Sequence, residues 1–393
     1  MEFKTIVTRK IIDIPREDWE CVFPDILEGY DFYKTLDESR FEQFSFYYIA
    51  VYLGNSMVGA APCFSMRYSL DTSVNGTARR ALNYAKRFTP EIFSVKALIC
   101  GMPLGKGQIG VIKGGEDKKI VDVIFRKMED IAKDERIKLI AFKDFPHSYT
   151  NAFEALVENG FFKVDGLPYA EKDLTFKTFE DYLKTLSSAT RYDLRRKFKK
   201  VDGNIKIEME VVDELKDDAL ADVYRLYLQM LEKHEMIFEI VPVEFFKNIL
   251  ASMPGKAKVF LWRIDNKLVA FVFCTVSEDV IIDYFLGLDY AVAHKYHLYF
   301  IKHRDVMNWC IENGVKRYAM GFSGYEAKKR LGFDFTPLHI YVKHRSRVMN
   351  FIFKKLVNFL KFENFDPHVK SIKRSLSEKR TSDHQGVCPD IPN

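Results

Sequence analysis

Near the middle of the chain, basic side chains are crowded into one predicted helix. Positions 187–200 read Ser-Ser-Ala-Thr-Arg-Tyr-Asp-Leu-Arg-Arg-Lys-Phe-Lys-Lys. At 100° per residue, Leu194, Phe198 and Val201 form an apolar stripe opposite a cationic face. That face holds Arg191, Arg195, Arg196, Lys199 and Lys200. Because like charges at this spacing repel each other, the pattern predicts an anionic partner such as acidic side chains, a phosphate or a nucleic-acid backbone. A solvated amphipathic helix is the alternative interpretation.

The sequence lacks the motifs of several enzyme classes. It has no Walker phosphate loop, HExxH, GxSxG or zinc-ligand spacing, which argues against most hydrolases, kinases and metalloenzymes and predicts no metal site. The six cysteines have no CxxC spacing, so we expect reduced thiols rather than disulfides. Gly101–Gly107 follows the pattern GxxxGxG, whose glycines either bring the backbone close to a ligand or serve turns.

Length and composition predict a globular protein of two domains. The chain has 393 residues, of which 47% are hydrophobic and 29% charged. Its net charge of +5 is concentrated after residue 342, where eleven basic residues face five acidic ones, leaving 49 basic and 50 acidic residues elsewhere. No run of 18 apolar residues occurs. We therefore expect a cytoplasmic protein, at most peripheral at the inner membrane surface.

Secondary-structure patterns repeat one α/β order in the two halves of the chain. The first half has a strand to residue 14, a helix at 18–36, a hairpin at 44–66, a loop and helix at 71–87, a helix at 116–134, a strand at 137–142 and a short helix at 151–158. The second has a strand at 204–212, helices at 213–234 and 242–253, a hairpin at 258–276, a strand at 280–288, a helix at 297–312, a strand at 316–321, a short helix at 324–331 and a strand at 338–343.

This repetition predicts domains at 1–178 and 179–345, followed by a tail at 346–393. The tail begins with a helix candidate at 348–362, rich in Phe, Ile and Leu, which carries Lys354, Lys355 and Lys361. It either packs on the protein or lies on a membrane surface. Past Phe365 the composition is polar and charged, so disorder is expected.

Three phrases of the sequence resemble a known family. Residues 33–39 with 51–62, the cationic stretch 187–197, and Gly324-Tyr325-Glu326-Ala327-Lys328-Lys329-Arg330-Leu331-Gly332-Phe333 are similar to segments of the Fem-like predicted N-acyltransferases of the GNAT superfamily. The resemblance spans about residues 20 to 345. It implies an α/β protein with mixed sheets (α+β), in which two tandem GNAT-like domains face each other.

The resemblance also implies an activity. Proteins of this family move an acyl or aminoacyl group from an activated ester or thioester to an amine. The co-substrate would be acyl-CoA or aminoacyl-tRNA, with no tightly bound cofactor. The acceptor would be a small-molecule or lipid-linked amine. The alternative is a non-catalytic module of the same fold that binds RNA or anionic lipid through residues 191–200.

In the GNAT fold, the donor carbonyl binds where two parallel strands separate, and the matching strands here are 281–287 and 316–321. Asp283 stands in an otherwise apolar strand, so it is the candidate general base or amine-binding residue. A structural hydrogen-bonding role is equally consistent with its position. The neighbouring Tyr284 is a candidate substrate-binding residue.

The sequence departs from the family pattern after this strand. Many GNAT enzymes have a glycine loop there that cradles pyrophosphate, whereas residues 289–297 contain no glycine. The departure counts against CoA and favours an aminoacyl-tRNA donor, with Arg191, Arg195 and Arg196 as phosphate contacts at a cleft between the domains. His294 and His297 are candidate acids or bases, or else surface histidines.

The Gly-x-Glu-x-Lys phrase supplies the remaining candidates. Lys328 would hold a phosphate or carboxylate, Glu326 would orient the amine, and Tyr325 would contact the substrate. Residues two apart on a helix do not face each other, so Glu326 and Lys328 cannot share one contact. Ordinary helix surface is the alternative for this segment.

Overall fold

The computed structural model describes residues 2–69, 94–112, 114, 116–233, 238–357, 369–374 and 376. The loop and helix predicted at 71–87 lie outside these residues. The strands are β1 (Phe3–Thr8), β2 (Ser45–Leu53), β3 (Ser56–Ser69), β4 (Ser94–Cys100), β5 (Gly110–Val111), β6 (Leu139–Pro146), β7 (Phe162–Asp165), β8 (Tyr169–Asp173), β9 (Glu208–Val212), β10 (Ala257–Ile264), β11 (Lys267–Val276), β12 (Val280–Leu288), β13 (Arg317–Gly321), β14 (Asp334–Thr336) and β15 (Leu338–His344).

The α-helices correspond closely to the predicted ones in the second half of the chain. They are α1 (Arg16–Val22), α2 (Tyr30–Glu38), α3 (Asp117–Asp134), α4 (Glu154–Glu158), α5 (Phe179–Thr185), α6 (Ser188–Asp202), α7 (Asp217–Lys233), α8 (Val243–Ser252), α9 (Tyr290–Ala293), α10 (Leu298–Glu312), α11 (Tyr325–Arg330) and α12 (Arg347–Val357). The prediction of a single helix over residues 18–36 is wrong, because the structure has two helices, α1 and α2, in this region. It is interrupted between α1 and α2, where Pro24 precedes Asp25 and Asp25 adopts a positive φ of 57°.

The strands form two mixed sheets of matching order. The first is β1-β2-β3-β4-β6-β15-β7, with β5 beside β3, and the second is β9-β10-β11-β12-β13-β8-β14. In each sheet the fourth and fifth strands are the parallel pair: β4 with β6, and β12 with β13. The predicted α/β class with mixed sheets and a repeated order is therefore confirmed.

The sixth position of each sheet is filled by a strand from the other half of the chain. β15 lies between β6 and β7 of the first sheet, and β8 lies between β13 and β14 of the second. The division predicted at residues 178 and 179 remains a prediction about domains. The two sheets themselves exchange one strand each across it.

Two tight hairpins follow from turn residues that tolerate a positive φ. Gly54-Asn55 joins β2 to β3, with φ of 64° at the glycine. Asp265-Asn266 joins β10 to β11, with φ values of 48° and 63°. Positive φ at both central residues is the primed turn that suits the twist of antiparallel strands. Both predicted hairpins are confirmed.

One hydrophobic core is shared by the two sheets. Phe32 and Phe41, from the first half, pack against Phe245 of α8, and Phe32 also lies 5.7 Å from Tyr284 of β12. Phe245 in turn contacts Phe285 of β12. Aromatic pairs of this kind add packing energy beyond the apolar area that they bury. The sheets are therefore held together by a continuous apolar layer.

The cationic helix α6 lies on the other face of the second sheet. Its apolar stripe is buried as predicted, with Leu194, Phe198 and Val201 at most 8% exposed. The cluster around this stripe contains residues of α5, α10 and the second sheet, and no residue before Ala170. The stripe therefore anchors α6 to the second half of the chain, and the expectation that its charged face borders a cleft between the domains stays a prediction. Its stripe anchors it to α10, away from the shared core.

One short segment near the C-terminus is folded, although the composition there predicts disorder. Residues 369–374 are helical, and Val369 and Ile372 are buried beside Tyr325. The expectation of disorder past Phe365 is wrong for these residues, because two apolar side chains three positions apart give the turn a packing face. In the described residues no helix combines the length and the apolar character needed to span a membrane.

Candidate active site

The parallel pair at the centre of the second sheet separates partway along its length. β12 pairs with β13 only over Val280–Ile282, opposite Arg317–Ala319, while β12 continues to Leu288. We call the end of this pairing the divergence point. Beyond it, the β13-facing edge of β12 has no strand partner among the described residues. Backbone N–H and C=O groups on such an edge are available to a ligand.

A β-bulge in β12 lies immediately after the divergence point. Phe273 of β11 is opposite Phe285, whereas Cys274 is opposite Asp283, so Tyr284 is the extra residue. A bulge changes the direction of the side chains that follow it. Here it places both Tyr284 and Phe285 towards the shared core, while Asp283 faces α10.

Asp283 belongs to a buried triad with Lys302 and Tyr318. Lys302 Nζ of α10 lies 3.0 Å from Asp283 Oδ2, and Tyr318 of β13 donates its hydroxyl to the same oxygen at 3.2 Å. The lysine side chain is 1% exposed and the aspartate 7%. A buried charge is tolerated when it is paired and hydrogen-bonded, and both conditions hold here. The triad joins β12, β13 and α10 beside the divergence point.

A neutral histidine lies next to this triad. Burial, together with the charge of Lys302, lowers the pKa of His303 to about 3. The Tyr182 hydroxyl donates to the Leu331 carbonyl at 2.7 Å and lies 2.9 Å from His303 Nε2. Because the Tyr182 hydroxyl donates its proton to Leu331, its oxygen accepts a hydrogen bond from His303. His303 is therefore the neutral tautomer that carries its proton on Nε2. His303 is thus a fixed structural donor.

Lys328 lies at the other side of the divergence, at the end of β13. Its Nζ donates to the carbonyls of Met320, Gly321 and Phe322 at 2.6, 3.3 and 2.7 Å. Burial lowers the pKa of Lys328 to about 7, with Asp283 opposing this shift. A lysine whose pKa lies near neutrality exchanges protons readily at physiological pH.

Tyr284 connects β12 to the first half of the chain. Its hydroxyl donates to Glu28 Oε1 at 2.7 Å, and burial raises its pKa well above the usual value. Gln108 donates to the Glu28 carbonyl at 3.0 Å and to the Tyr33 hydroxyl at 2.8 Å. Residues of the first half therefore form one wall of the region around the divergence point.

The N-terminus of α10 lies close to the cationic helix. His297 precedes α10 with a left-handed φ of 50°, a conformation that glycine adopts most easily. Burial lowers the pKa of His297, and the charges of Lys197 and Lys200 add to the effect. The cations of α6 thus act on the end of α10 at which a helix attracts anions.

Several predicted site residues lie away from the triad. His294 is exposed after α9, and Glu326 is exposed on α11. Tyr325 is buried, but its hydroxyl donates to the Pro168 carbonyl at 2.9 Å, on the side facing Val369. The structure therefore brings together Asp283 and Lys328, and it does not bring these three residues to them.

The predicted phosphate-binding arginines have partners within the chain. Arg195 pairs with Glu180, Arg196 lies 2.8 Å from Asp193, and Arg191 donates to backbone carbonyls, including that of Lys184 at 3.2 Å. Burial would raise the pKa of Asp193, but hydrogen bonds from Lys197 and Arg196 lower it to about 2. Acidic side chains, one of the predicted partners, thus neutralise part of this face.

Sequence reasoning missed Lys302, Tyr318 and Glu28. Lys302 had a readable signal, because it lies four residues from both Leu298 and Val306 on the apolar face of its predicted helix. A charge in that position predicts a buried partner. Tyr318 and Glu28 gave no comparable signal, since their contacts depend on strand pairing and on the packing of the two halves.

Comparison with known proteins supports this fold. Residues 188–329 match the profile described as an acetyltransferase (GNAT) domain. The crystal structure of FemX is similar with a TM-score of 0.55 at 12% identity, covering 87% of this chain and 97% of that one. A tandem GNAT protein from the clavulanic acid biosynthesis pathway gives 0.52 at 8% identity, covering 88% and 99%. No curated protein sequence matches this chain significantly. The chain has a Fem-like tandem GNAT fold.

Proposed function

We propose, from this Fem-like tandem GNAT fold, that the protein is an N-acyltransferase that acts at the divergence point of the second sheet. It transfers an acyl or aminoacyl group from an activated ester or thioester to an amine. The observation that carries the proposal is the unpartnered edge of β12 next to the buried triad. The profile match over residues 188–329 covers this same region.

The backbone N–H groups on the edge of β12 are the hydrogen-bond donors for the oxygen of the reacting carbonyl. The amine nitrogen attacks the carbonyl carbon, and the oxygen becomes an oxyanion that backbone N–H groups stabilise. The triad fixes the strand at this point, because Asp283 is held by Lys302 from α10 and by Tyr318 from β13. We therefore assign Asp283 a positioning role rather than that of general base.

In this proposal Lys328 transfers the proton of the reacting amine. As the new amide bond forms and the carbonyl carbon–oxygen or carbon–sulfur bond breaks, one proton must pass from the amine to the leaving alcohol or thiol. Lys328 is suited to relay it, because burial lowers its pKa to about 7 and it lies at the end of β13. Its three carbonyl partners hold it in place.

In this scheme the acyl donor carries phosphate groups, and both acyl-CoA and aminoacyl-tRNA meet this requirement. The N-terminus of α10 and the exposed Lys200 of α6 supply the positive field for them. The left-handed His297 takes the place of a loop glycine. A larger, nucleic-acid donor is favoured because the exposed Lys199 and Lys200 extend the positive charge along α6.

The direct test offers the purified protein both donor classes with a mixture of small-molecule and lipid-linked amines. Isotope-labelled aminoacyl-tRNA and acyl-CoA are supplied separately, and products are identified by mass spectrometry. Transfer from one donor class is the expected result. Transfer from neither, with salt-sensitive RNA binding that is lost in Arg195→Ala/Arg196→Ala, would support the non-catalytic module instead.

A peripheral membrane contact is a second proposal, favoured by α12. Val348 and Phe351 are 70% and 63% exposed, and the helix carries Lys354 and Lys355 without any acidic residue. An apolar face flanked by cations fits an anionic lipid surface. Flotation with anionic vesicles should be lost in Val348→Asp/Phe351→Asp. Flotation that is unchanged by this substitution would refute the contact.

A further inference from the structure

Tyr169 is a buried tyrosine whose hydroxyl has no hydrogen-bond partner among the described residues. It is the first residue of β8, and it is 3% exposed. Its ring packs with Ile282 of β12 and with Phe322, which follows β13. A Cβ on Gly321 would lie 3.8 Å from this ring and 4.0 Å from the Asp283 carbonyl oxygen. Tyr169 therefore lies where β12 and β13 separate, and its hydroxyl is available to a ligand there.

Three carboxylates act on this hydroxyl. Burial raises the pKa of Tyr169 well above its usual value, and the charges of Glu28, Glu171 and Asp283 add to the effect. The only cation that contacts the ring is Lys106, among the described residues, with its Nζ 4.4 Å from the ring centre. The hydroxyl stays protonated, so it can accept a hydrogen bond as well as donate one.

Lysines pair with two of these three carboxylates. Lys302 Nζ lies 3.0 Å from Asp283 Oδ2, and Lys106 Nζ lies 3.9 Å from Glu171 Oε2. Glu28 forms no ion pair with a basic side chain in the part of the chain that the structure describes. The region around the Tyr169 hydroxyl therefore keeps one negative charge that no lysine or arginine of these residues neutralises.

Neutral groups hold Glu28 in position. Its Oε1 accepts a hydrogen bond from the Tyr284 hydroxyl at 2.7 Å, and its backbone carbonyl accepts one from Gln108 at 3.0 Å. Glu28 is half-buried, so water only partly screens its charge and a ligand can still reach it. A partly desolvated carboxylate held in this way gains most from a cation that also donates hydrogen bonds.

We propose that Glu28 and Tyr169 bind the acceptor amine in its protonated, ammonium form. An ammonium group has three N–H donors, which the Glu28 carboxylate and the Tyr169 hydroxyl accept. The inference rests on the proposed acyl transfer, because it places the acceptor beside the edge of β12 on the side of the first half of the chain. It restricts the acceptor to aliphatic amines that are cations at neutral pH. The bound ammonium releases a proton to water before the neutral amine attacks.

Ligand-observed NMR titration of the full chain at neutral pH tests binding without any acyl donor. The probes are n-butylammonium and 1-butanol, which are similar in size and differ in charge. We expect the ammonium to bind at least about tenfold more tightly, because it alone forms charge-assisted hydrogen bonds. Glu28→Gln should weaken the binding of n-butylammonium by about tenfold or more, and Tyr169→Phe by about three- to tenfold.

Glu312→Gln is the matched control, because it also removes one negative charge, at the exposed end of α10. It should bind n-butylammonium as the unmodified chain does. Glu28→Gln keeps an oxygen that can accept the Tyr284 hydroxyl, and circular dichroism verifies that each variant is folded. Equal binding of the two probes, or equal binding by Glu28→Gln and the control, would overturn the inference.

A turnover measurement separates this inference from the proposed function. With a donor and an amine that give product, Glu28→Gln and Tyr169→Phe should raise the KM for the amine and leave the KM for the donor unchanged. Transfer with an unchanged KM for the amine in both variants would overturn the acceptor site alone. Absence of transfer from every donor would overturn the proposed function and the acceptor role with it, while the NMR titration would still decide whether Glu28 and Tyr169 bind an ammonium.

Discussion

The two sheets diverge at equivalent places but are built differently there. In the first sheet, β4 and β6 pair in parallel up to Cys100 and Phe142, and in the second, β12 and β13 pair up to Ile282. The residue after the last pair is Gly101 in the first sheet and Asp283 in the second. A repeated architecture therefore carries different chemistry at one position.

The first divergence is closed by the chain itself. Gly107 donates its N–H to the Asp144 carbonyl at 3.0 Å, and a Cβ on Gly107 would lie 2.2 Å from the Lys143 carbonyl oxygen. Gly107 of the GxxxGxG segment thus packs closely against the backbone of β6, whereas the sequence predicted either contact with a ligand or turns for these glycines. At the second divergence the strand edge has no strand partner in the described part of the chain, and it lies beside a buried ion pair. This difference is why we propose that acyl transfer takes place at the second sheet and that the first sheet is structural.

The largest expected effect is on catalysis by Lys328. Replacing it by Met should lower kcat by about 10²–10⁴-fold, the usual range for a proton-transfer group. In the unmodified protein, kcat/KM should rise with pH through about 7 as Lys328 loses its proton. The arginine in Lys328→Arg stays protonated, so this rising limb of the pH profile of kcat/KM should be absent.

The adjacent Lys329→Met is the matched control, because Lys329 is exposed and bonds Ser371 Oγ at 3.0 Å. It should retain activity and the pH limb. Circular dichroism verifies that the variants are folded. A pH limb that survives in folded Lys328→Arg would assign the proton transfer to another group.

The next effect is on stability and concerns the triad. Lys302→Met leaves the Asp283 carboxylate buried without its cation and should cost about 3–5 kcal/mol of unfolding free energy in denaturant titration. Asp283→Leu/Lys302→Met removes both charges and should recover much of that loss. Additive destabilisation in the double variant would mean that Asp283 and Lys302 do not form a coupled ion pair. The contrast with the first sheet, where Gly101 takes the position of Asp283, would then fail.

Tyr284→Phe tests the connection between the halves of the chain. Loss of the hydroxyl that donates to Glu28 should cost about 1.5–3 kcal/mol, because the acceptor is a carboxylate. Thermal unfolding measures the change. Tyr52→Phe, whose hydroxyl donates to Asp18 at 3.0 Å within the first half, is the control for a bond of the same type. If Tyr284→Phe alone separates the transition into two steps, the bond couples the sheets.

We expect Gly107→Ala to have the smallest effect. This substitution tests whether the first sheet takes part in the reaction. Overpacking against Lys143 and Phe145 should cost about 1–3 kcal/mol. The rate of acyl transfer per folded molecule should not change, because the first divergence is structural. A selective loss of kcat without loss of stability would place chemistry in the first sheet as well.

Local patterns predicted most of the elements but few of the contacts. The strand at 280–288 and the helix at 297–312 follow from hydrophobic spacing, and the structure has them at Val280–Leu288 and Leu298–Glu312. Asp283 stands out in the sequence because it is a charge in an otherwise apolar strand. The partner itself was not predictable, since Lys302 comes into reach only when α10 packs on the sheet.

The misplaced residues show the same limit. Tyr325 and Lys328 are one helical turn apart on α11, yet one contacts Pro168 and the other the end of β13. The five-residue phrase Gly-x-Glu-x-Lys cannot say which side of a helix faces a ligand. For α6, periodicity gives the buried stripe but not the layer in which the stripe is buried.

The exchange of β8 and β15 has a consequence for synthesis on the ribosome. The first sheet cannot be completed until Leu338–His344 has been made, almost 200 residues after β6. Until then, the facing edges of β6 and β7 stay open, and open edges invite pairing with other chains. The nascent chain therefore depends on β15 to close its first sheet, and we expect premature termination before residue 338 to give an aggregating product rather than a free first domain.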